Sequence, residues 1–332
     1  MIKAPYLLFL GDAPDMLAAK VAVGIRDWRP DRAVGQLRLP GAAVDLGLPE
    51  MTLEEGRAAG AETLVIGVAN RGGTIAEAWT PVLLDALAAG YDLASGLHHL
   101  LRDEPALAAA ARAHGRTLHD VRVPDRRYPI ADGKPRAGRR LLAVGTDCSA
   151  GKMYTAMAME TEMRARGMAA TFRATGQTGI LVAGSGVPLD AVVADFMAGA
   201  VEWLTPANEP DHWDLIEGQG SLYHPSYSGV TLALIHGGAP DALVLAHEPT
   251  RTHMRGLPHY ALPALEELRD LSVMLARRVN PGAVVTGVAI NTRALDEDAA
   301  RRTCEEIEAR LGLPTVDPIR HGAGRLVDAL PG

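Results

Sequence analysis

The segment 145–155 reads Gly-Thr-Asp-Cys-Ser-Ala-Gly-Lys-Met-Tyr-Thr and has the residue types of a phosphate-binding loop. It follows the apolar run 141–144 and precedes a stretch that can form a helix, so Lys152 lies between a predicted strand and a predicted helix. Backbone N–H groups at the start of a helix, together with a lysine, are suited to hold an anion. The sequence therefore predicts that this loop binds the phosphates of a cofactor.

The loop departs from the usual motif at one chemically important position. Met153 stands where most phosphate loops have a Ser or Thr whose hydroxyl holds Mg²⁺. Gly145 also lies one residue too early, and Thr146 occupies the place of the first glycine. We therefore expect a phosphorylated cofactor that is bound without a metal. The predicted cofactor contacts are Gly145, Thr146, Asp147, Cys148, Ser149, Ala150, Gly151, Lys152, Met153 and Tyr154.

A second polar group follows a predicted strand that contains Asp214. Glu217 begins the segment Glu-Gly-Gln-Gly-Ser at 217–221, whose glycines allow the backbone to approach a ligand closely. His224 follows three residues after that segment. A carboxylate or an imidazole placed there could transfer a proton, although a capping acid and a satisfied polar loop are the alternatives. The candidates for catalysis are thus Glu217, His224 and Lys152.

Several arginines and amides stand beside glycine- or threonine-rich turns, where a guanidinium could bind a carboxylate or a phosphate. An ion pair with an acid of the protein is the alternative for each arginine. The segment 247–255 also contains two histidines, but no neighbouring carboxylate pattern indicates a metal site, and no metal is predicted. The predicted substrate-binding residues are Asn70, Arg71, Arg173, Thr175, Gln177, Arg251 and Arg255.

These residues need elements that position them, and short apolar runs alternating with amphipathic stretches predict parallel βαβ units. Strands are predicted at 6–10, 63–68, 92–96, 141–144, 170–175, 214–217, 242–247 and 284–291, and helices at 12–27, 75–89, 106–114, 152–166, 189–202, 264–278 and 296–311. We expect an α/β fold of two doubly wound parallel-sheet domains. They are a Rossmann-like domain at 1–125, a linker at 126–139 and a P-loop NTPase-like domain at 140–332. Ligands of such sheets lie beyond the carboxyl ends of the strands.

Composition restricts the class of protein. A chain of 332 residues exceeds the usual size of one core, and its net charge of −7 disfavours nucleic acid as a partner. The two cysteines, Cys148 and Cys304, exclude a disulfide framework and a cysteine-based zinc site. The sequence shows neither a signal peptide nor an apolar run of membrane-spanning length. We expect a cytoplasmic homo-oligomer whose partners are small molecules, an amino acid and an acyl-CoA, with no membrane partner.

Two motifs resemble dethiobiotin synthetase: Gly-Thr-Asp at 145–147 with Gly151 and Lys152, and Glu-Gly-Gln-Gly at 217–220. That enzyme has Thr after the lysine. The full length is more similar to a bacterial family, long labelled as of unknown function, that joins a Rossmann-like domain to a dethiobiotin-synthetase-like domain. Its hallmarks are matched by the segments 145–153, 172–179 and 217–229.

Within that family, the match from Met1 to Leu330 resembles the D-glutamate N-acetyltransferases. The resemblance implies transfer of acetyl from acetyl-CoA to an acidic amino acid, D-glutamate giving N-acetyl-D-glutamate, in D-glutamate catabolism. One alternative is an ATP- and Mg²⁺-dependent carboxylase or ligase of the dethiobiotin-synthetase type, and another is a nucleotide-responsive regulatory protein without turnover. Met153 favours the first of these three, whereas a Glu217 that binds a metal would favour the second.

Overall fold

The computed structural model describes residues 1–16, 18–70 and 72–332, so Arg71, a predicted substrate-binding residue, lies outside the described residues. The chain forms two compact units. One unit consists of residues 1–125 and 176–191, and the other of residues 126–175 and 192–332. A short piece of the later sequence therefore belongs to the first unit.

The first unit contains a parallel sheet with the strand order β2-β1-β3-β4-β5. Its strands are β1 (Tyr6–Gly11), β2 (Ala33–Arg38), β3 (Thr63–Ile66), β4 (Asp92–Ser95) and β5 (Leu118–Asp120). Its helices, numbered in chain order, are α1 (Lys20–Trp28), α2 (Leu53–Ala58), α3 (Thr80–Ala88), α4 (Pro105–His114) and α6 (Gln177–Ala183). The expected Rossmann-like class is confirmed, since all strand pairs of this sheet are parallel.

Two helices of this unit begin later than the sequence predicts. The helix expected from Asp12 begins at Lys20, because the Asp12 carboxylate accepts a hydrogen bond from Trp79 Nε1 at 2.9 Å and does not cap a helix. A Cβ on Gly11 would lie 2.8 Å from the same indole, so Trp79 fills the end of β1. The helix expected from Ile75 begins at Thr80, where a proline occupies the first turn. Strands β2 and β5 were not predicted.

The second unit contains a parallel sheet with the order β13-β12-β9-β6-β8-β7. Its strands are β6 (Arg139–Gly145), β7 (Ala170–Arg173), β8 (Trp213–Ile216), β9 (Ala242–His247), β12 (Val284–Ile290) and β13 (Thr315–Val316), and β10 (His253–Met254) with β11 (Leu257–Ala261) forms an antiparallel hairpin. Its helices are α5 (Lys152–Ala165), α7 (Ala194–Leu204), α8 (Ser228–Gly238), α9 (Leu265–Ala276), α10 (Glu297–Leu311) and α11 (Gly324–Asp328).

Strand β6 lies between β9 and β8 and is the centre of this sheet. Its residues from Leu141 to Val144 are fully buried, which explains why the strand reads as a continuous apolar run. Because the strands are parallel, their carboxyl ends meet at one edge of the sheet. The loop after β6, the residues after β8 and the residues after β9 are therefore neighbours.

The helix predicted from Leu189 begins at Ala194, after a single 3₁₀ turn. Helix α8, the β10–β11 hairpin, β13 and α11 were not predicted. Helix α8 reads Ser-Gly-Val-Thr-Leu-Ala-Leu-Ile-His-Gly-Gly, and its glycines and lack of charged residues give no amphipathic period. Within the described residues, every helix is too short or too polar to cross a membrane.

The residues before β6 run along α7 in the second unit. The backbone N–H groups of Asp132 and Gly133 donate to the Glu202 carboxylate at 3.0 and 2.9 Å. A Cβ on Gly199 would lie 1.9 Å from the Pro129 carbonyl oxygen. The segment and the helix therefore meet at a position that only glycine can occupy without displacement.

Gly199→Ala should lower the midpoint of urea-induced unfolding, because its methyl group must displace Pro129 at a cost of about 1–3 kcal/mol. Gly229 of α8 is the matched control, since nothing lies within 4 Å of its Cβ position. Gly229→Ala should raise the stability by about 0.4–1 kcal/mol, since alanine restricts the unfolded chain. Circular dichroism measures both midpoints, and equal effects at the two positions would contradict the close approach.

Candidate active site

The loop 145–152 joins β6 to α5, and its lysine folds back over it. Lys152 is the first residue of α5 and is only 5% exposed, and its Nζ donates to the Asp147 carbonyl oxygen at 2.7 Å. Ser149 and Gly151 have φ values of +55° and +107°, in the left-handed region, which curls the loop. This arrangement holds an ammonium group inside the curve of a loop that leads into a helix, as anion binding requires.

Burial lowers the pKa of Lys152 to about 8. The neighbouring Cys148, Asp147 and Glu217 oppose this decrease, whereas the Arg251 guanidinium adds to it. Lys152 is therefore mostly charged at neutral pH and loses its proton just above it. A bound anion would favour the charged form.

The residues after Lys152 offer no hydroxyl at the position where a phosphate loop usually holds Mg²⁺. Met153 and Tyr154 form the first turn of α5 and are partly exposed. The next hydroxyl of a Ser or Thr, that of Thr155, donates to the Gly151 carbonyl oxygen at 3.0 Å within the helix. The structure therefore offers no Ser or Thr hydroxyl for Mg²⁺ at this position, as the sequence indicates.

Asp147 is a buried carboxylate that ties the loop to the segment after β9. Its Oδ1 accepts a hydrogen bond from the Cys148 backbone N–H at 2.7 Å. Its Oδ2 accepts from Arg251 Nη1 at 2.6 Å and from the Arg255 backbone N–H at 2.7 Å. Groups of the protein therefore occupy this carboxylate. A ligand would contact the backbone of the loop and its other side chains.

The two arginines beside the loop differ in what their guanidinium groups already bind. Arg251 also donates to the Cys148 carbonyl oxygen at 2.7 Å and pairs with Glu248. Arg255 stands in the turn of the β10–β11 hairpin, is exposed, and donates from Nη1 to Ser149 Oγ at 2.8 Å. Among the described residues, the Arg255 guanidinium therefore has N–H donors that can bind a ligand, whereas the Arg251 guanidinium stabilises the loop.

Glu217 follows β8 and is buried beside Lys152. Its Oε2 accepts from the Thr175 backbone N–H at 2.8 Å, and the Thr175 hydroxyl donates to its carbonyl oxygen at 2.7 Å. A Cβ on Gly218 would lie 1.7 Å from the Ala143 carbonyl oxygen and 2.9 Å from Lys152 Cδ. Glycine at this position therefore lets the lysine side chain pass directly over the backbone next to Glu217.

His224 is buried at the same edge of the sheet. Its Nδ1 accepts a hydrogen bond from the Ser226 backbone N–H at 3.1 Å, so the neutral imidazole carries its proton on Nε2. A nitrogen of this ring, a carboxylate oxygen of Asp147 and Cys148 Sγ all lie within 4.8 Å of one another. His224 thus has its N–H donor on Nε2, and its ring adjoins Asp147 and Cys148.

The same cluster has the ligand types of a metal site, but its charge does not suit a cation. Arg251 already neutralises the Asp147 carboxylate, and the Lys152 ammonium is a close neighbour. Burial raises the pKa of the Cys148 thiol, against the effect of Lys152, so the thiol stays protonated at neutral pH. We assign neither a metal nor a thiolate nucleophile to these groups.

The remaining predicted site residues lie apart from this cluster or have protein partners. Arg173 Nε donates to Asp214 Oδ1 at 2.7 Å, an ion pair in which burial raises the pKa of Asp214 and Arg173 opposes that increase. The Asn70 amide bonds Thr74 at 2.9 and 3.0 Å across a turn of the first unit. Gln177 begins α6, also in the first unit. Their contacts with substrate stay predictions.

Three further polar residues bond either the loop or Thr175, and none was assigned a role from the sequence. His247 Nδ1 lies 3.0 Å from Thr146 Oγ1, and burial lowers the pKa of His247 to about 4, so it is neutral. The Ser221 hydroxyl donates to the Thr146 carbonyl oxygen at 3.1 Å, and the Gln219 amide donates to Thr175. Their position at or after the carboxyl ends of β8 and β9 was the available signal in the sequence. The sequence does not show which residues of neighbouring strands lie next to each other.

Comparison with known proteins bears on the whole chain. Residues 129–327 match the domain of unknown function DUF1611, a P-loop domain, and residues 38–124 match its Rossmann-like N-terminal domain. A protein of Tritonibacter scottomollicae named D-glutamate N-acetyltransferase is 71% identical over 330 residues, 99% of each chain. One of the same name from a Pseudoalteromonas species is 44% identical over 326 residues, 98% of each chain.

A solved structure shows the same architecture. The crystal structure of a DUF1611 family protein from Anabaena variabilis has a TM-score of 0.84 with this chain at 34% sequence identity. The match covers 98% of this chain and 99% of the other. With both domain models matched in order, the chain belongs to the DUF1611 family, in which a Rossmann-like domain precedes a P-loop domain.

Proposed function

We propose that this chain transfers an acetyl group from acetyl-CoA to the amine of D-glutamate, giving N-acetyl-D-glutamate. Two full-length relatives named D-glutamate N-acetyltransferase support the activity and the acceptor. The structural observation that carries the proposal is the grouping of Lys152, Glu217 and His224, all buried, at an anion-binding loop without a magnesium-holding hydroxyl. Acetyl-CoA is the donor because acetyl transfer to an amine needs an activated acyl group.

Acetyl transfer requires a base, because the acceptor amine is protonated at neutral pH. Glu217 takes that proton, with its carboxylate held in place by the Thr175 N–H at 2.8 Å. The neutral amine then attacks the thioester carbonyl carbon. A C–N bond forms, the carbonyl oxygen carries the negative charge, and the C–S bond breaks as the tetrahedral intermediate collapses. The sulfur leaves as the CoA thiolate, the nitrogen gives up its second proton to become the neutral amide, and the thiolate takes up that proton. The proton that Glu217 accepted from the ammonium group passes to solvent.

The negative oxygen of the intermediate needs hydrogen-bond donors that are already in position. His224 supplies one, because the Ser226 N–H occupies its Nδ1 and leaves the proton on Nε2. The same hydrogen bond makes His224 a poor base in its neutral form, so the two candidates divide the work. Glu217 accepts the proton, and His224 stabilises the oxyanion.

Turnover should need neither a nucleotide nor a divalent metal, because Met153 removes the hydroxyl that would hold Mg²⁺. Acetyl-CoA and D-glutamate in EDTA should give equal amounts of free CoA thiol and N-acetyl-D-glutamate, measured by a thiol reagent and by mass spectrometry. L-Glutamate serves as the stereochemical control. A requirement for ATP with release of ADP would instead support the ligase alternative, which the buried Glu217 beside the loop also fits.

Glu217→Gln should lower kcat by about 10²–10⁴-fold, the usual contribution of a general base. His224→Ala should lower kcat by about 10²–10³-fold, as expected for the loss of one oxyanion donor. His224→Gln, which keeps an N–H donor, should recover part of that loss. A Glu217→Gln enzyme with the kcat of the wild type would eliminate Glu217 as the base.

A further inference from the structure

The closeness of the catalytic groups to the loop limits what the loop can hold. The Lys152 side chain passes 2.9 Å from the Cβ position of Gly218, the neighbour of Glu217. A nitrogen of His224 lies within 4.8 Å of Cys148 Sγ in the loop itself. In the reaction, the amine and the thioester carbon must approach to about 3–3.5 Å and lie beside the base. The reacting atoms therefore lie close to the loop.

The shape of acetyl-CoA places its diphosphate far from those atoms. The pantetheine arm between the diphosphate and the sulfur contains two amide units with flanking methylenes. It spans roughly 15 Å when extended, comparable with four to five residues of peptide chain. A diphosphate in the loop would carry the thioester well beyond the reach of Glu217 and His224. The loop cannot both hold the diphosphate of an extended donor and adjoin the reacting carbon.

The charges around the loop also disfavour a diphosphate as its ligand. Arg251 is already paired with Asp147 and Glu248, so it adds little free positive charge. A diphosphate would face the buried Glu217 carboxylate without the Mg²⁺ that normally offsets this repulsion, because Met153 supplies no ligand. A single carboxylate needs much less compensation than a diphosphate.

We infer that the loop 145–152, together with the Lys152 ammonium and the Arg255 guanidinium, binds a carboxylate of the amino-acid acceptor. This inference rests on the proposed acetyl transfer and replaces the donor phosphates that the sequence predicts for the loop. Lys152 Nζ now bonds the Asp147 carbonyl oxygen at 2.7 Å and can exchange that bond for a carboxylate oxygen. The Arg255 guanidinium is exposed and, among the described residues, bonds the loop only through Ser149 Oγ, so it can donate to the same ligand.

Arg255→Ala separates the two substrates. Its KM for D-glutamate should rise by about 10- to 100-fold, the effect of losing a hydrogen bond to a charged group, while the KM for acetyl-CoA stays within about 2-fold. Arg301→Ala on α10, which removes an exposed arginine paired with Glu297, is the matched control and should change neither constant. A rise in the KM for acetyl-CoA alone, or no change in either KM, would overturn the inference.

The pH dependence of D-glutamate binding gives a second test of the inference. It depends on the pKa of Lys152, which the groups facing this lysine influence. These are Cys148, Asp147, Arg251 and Glu217, and burial among them lowers the pKa of Lys152 to about 8. Because only the charged lysine attracts a carboxylate, the affinity for D-glutamate should fall as the pH rises through about 8. Lys152→Met should bind D-glutamate weakly at all pH values and lose this dependence.

Isothermal titration of the full-length protein with D-glutamate and with CoA, each alone, measures these affinities without turnover. Weaker D-glutamate binding and unchanged CoA binding in both Lys152→Met and Arg255→Ala is the expected result. Weaker CoA binding with unchanged D-glutamate binding would overturn the inference and indicate that the loop binds the phosphates of the donor. Wild-type protein that forms no N-acetyl-D-glutamate from acetyl-CoA would instead refute the proposed function, which keeps the two failures distinct.

Discussion

The hydrogen bonds of the buried Asp147 carboxylate determine the shape of the candidate active site. Asp147 is fully buried, and three N–H groups surround its two oxygens, from Cys148 inside the loop and from Arg251 and Arg255 after β9. A buried carboxylate without such partners would be strongly destabilising, so the loop and the segment after β9 must keep these positions together. Lys152 then bonds the carbonyl of the same residue. Asp147 thus fixes the Arg251 guanidinium through its side chain and the Lys152 ammonium group through its backbone carbonyl.

The sheet explains why this arrangement forms in one place. Strands β8, β6 and β9 are adjacent and parallel, so Glu217, the loop and Arg251 emerge side by side. The Lys152 stem lies over Gly218, where any side chain would collide with the Ala143 carbonyl. Close packing of the lysine onto the strand ends removes it from water and lowers its pKa to about 8. The perturbed lysine is therefore a consequence of how tightly the loop packs.

Sequence reasoning predicts much of this architecture where the pattern is local. Strands β6, β7, β8, β9 and β12 of the second unit follow from apolar runs, as do the positions of the loop and Glu217 after two of these strands. Both domain classes are confirmed. Helix α8 was not predicted because its residues have no helical period. The helix start at Asp12 was wrongly predicted because the partner of Asp12, Trp79, lies 67 positions away in the sequence. The Asp147–Arg251 pair spans 104 positions and cannot be assigned from either segment alone. A single sequence does not show which residues that are distant along the chain contact each other in the fold.

The change from threonine or serine to Met153 can be understood through charge balance. A phosphate loop that handles nucleoside triphosphates needs Mg²⁺ because its neighbouring acid and the phosphates repel each other. Met153 lacks that hydroxyl, and under the proposed function Glu217 acts as a base beside the buried Lys152 ammonium group and does not orient a metal. A loop built to surround an anion then suits a substrate that carries a carboxylate close to its reacting amine. In D-glutamate, the proposed acceptor, the α-carboxylate and the amine are attached to the same carbon, so the carboxylate binding that we propose for the loop would also bring the nitrogen to Glu217.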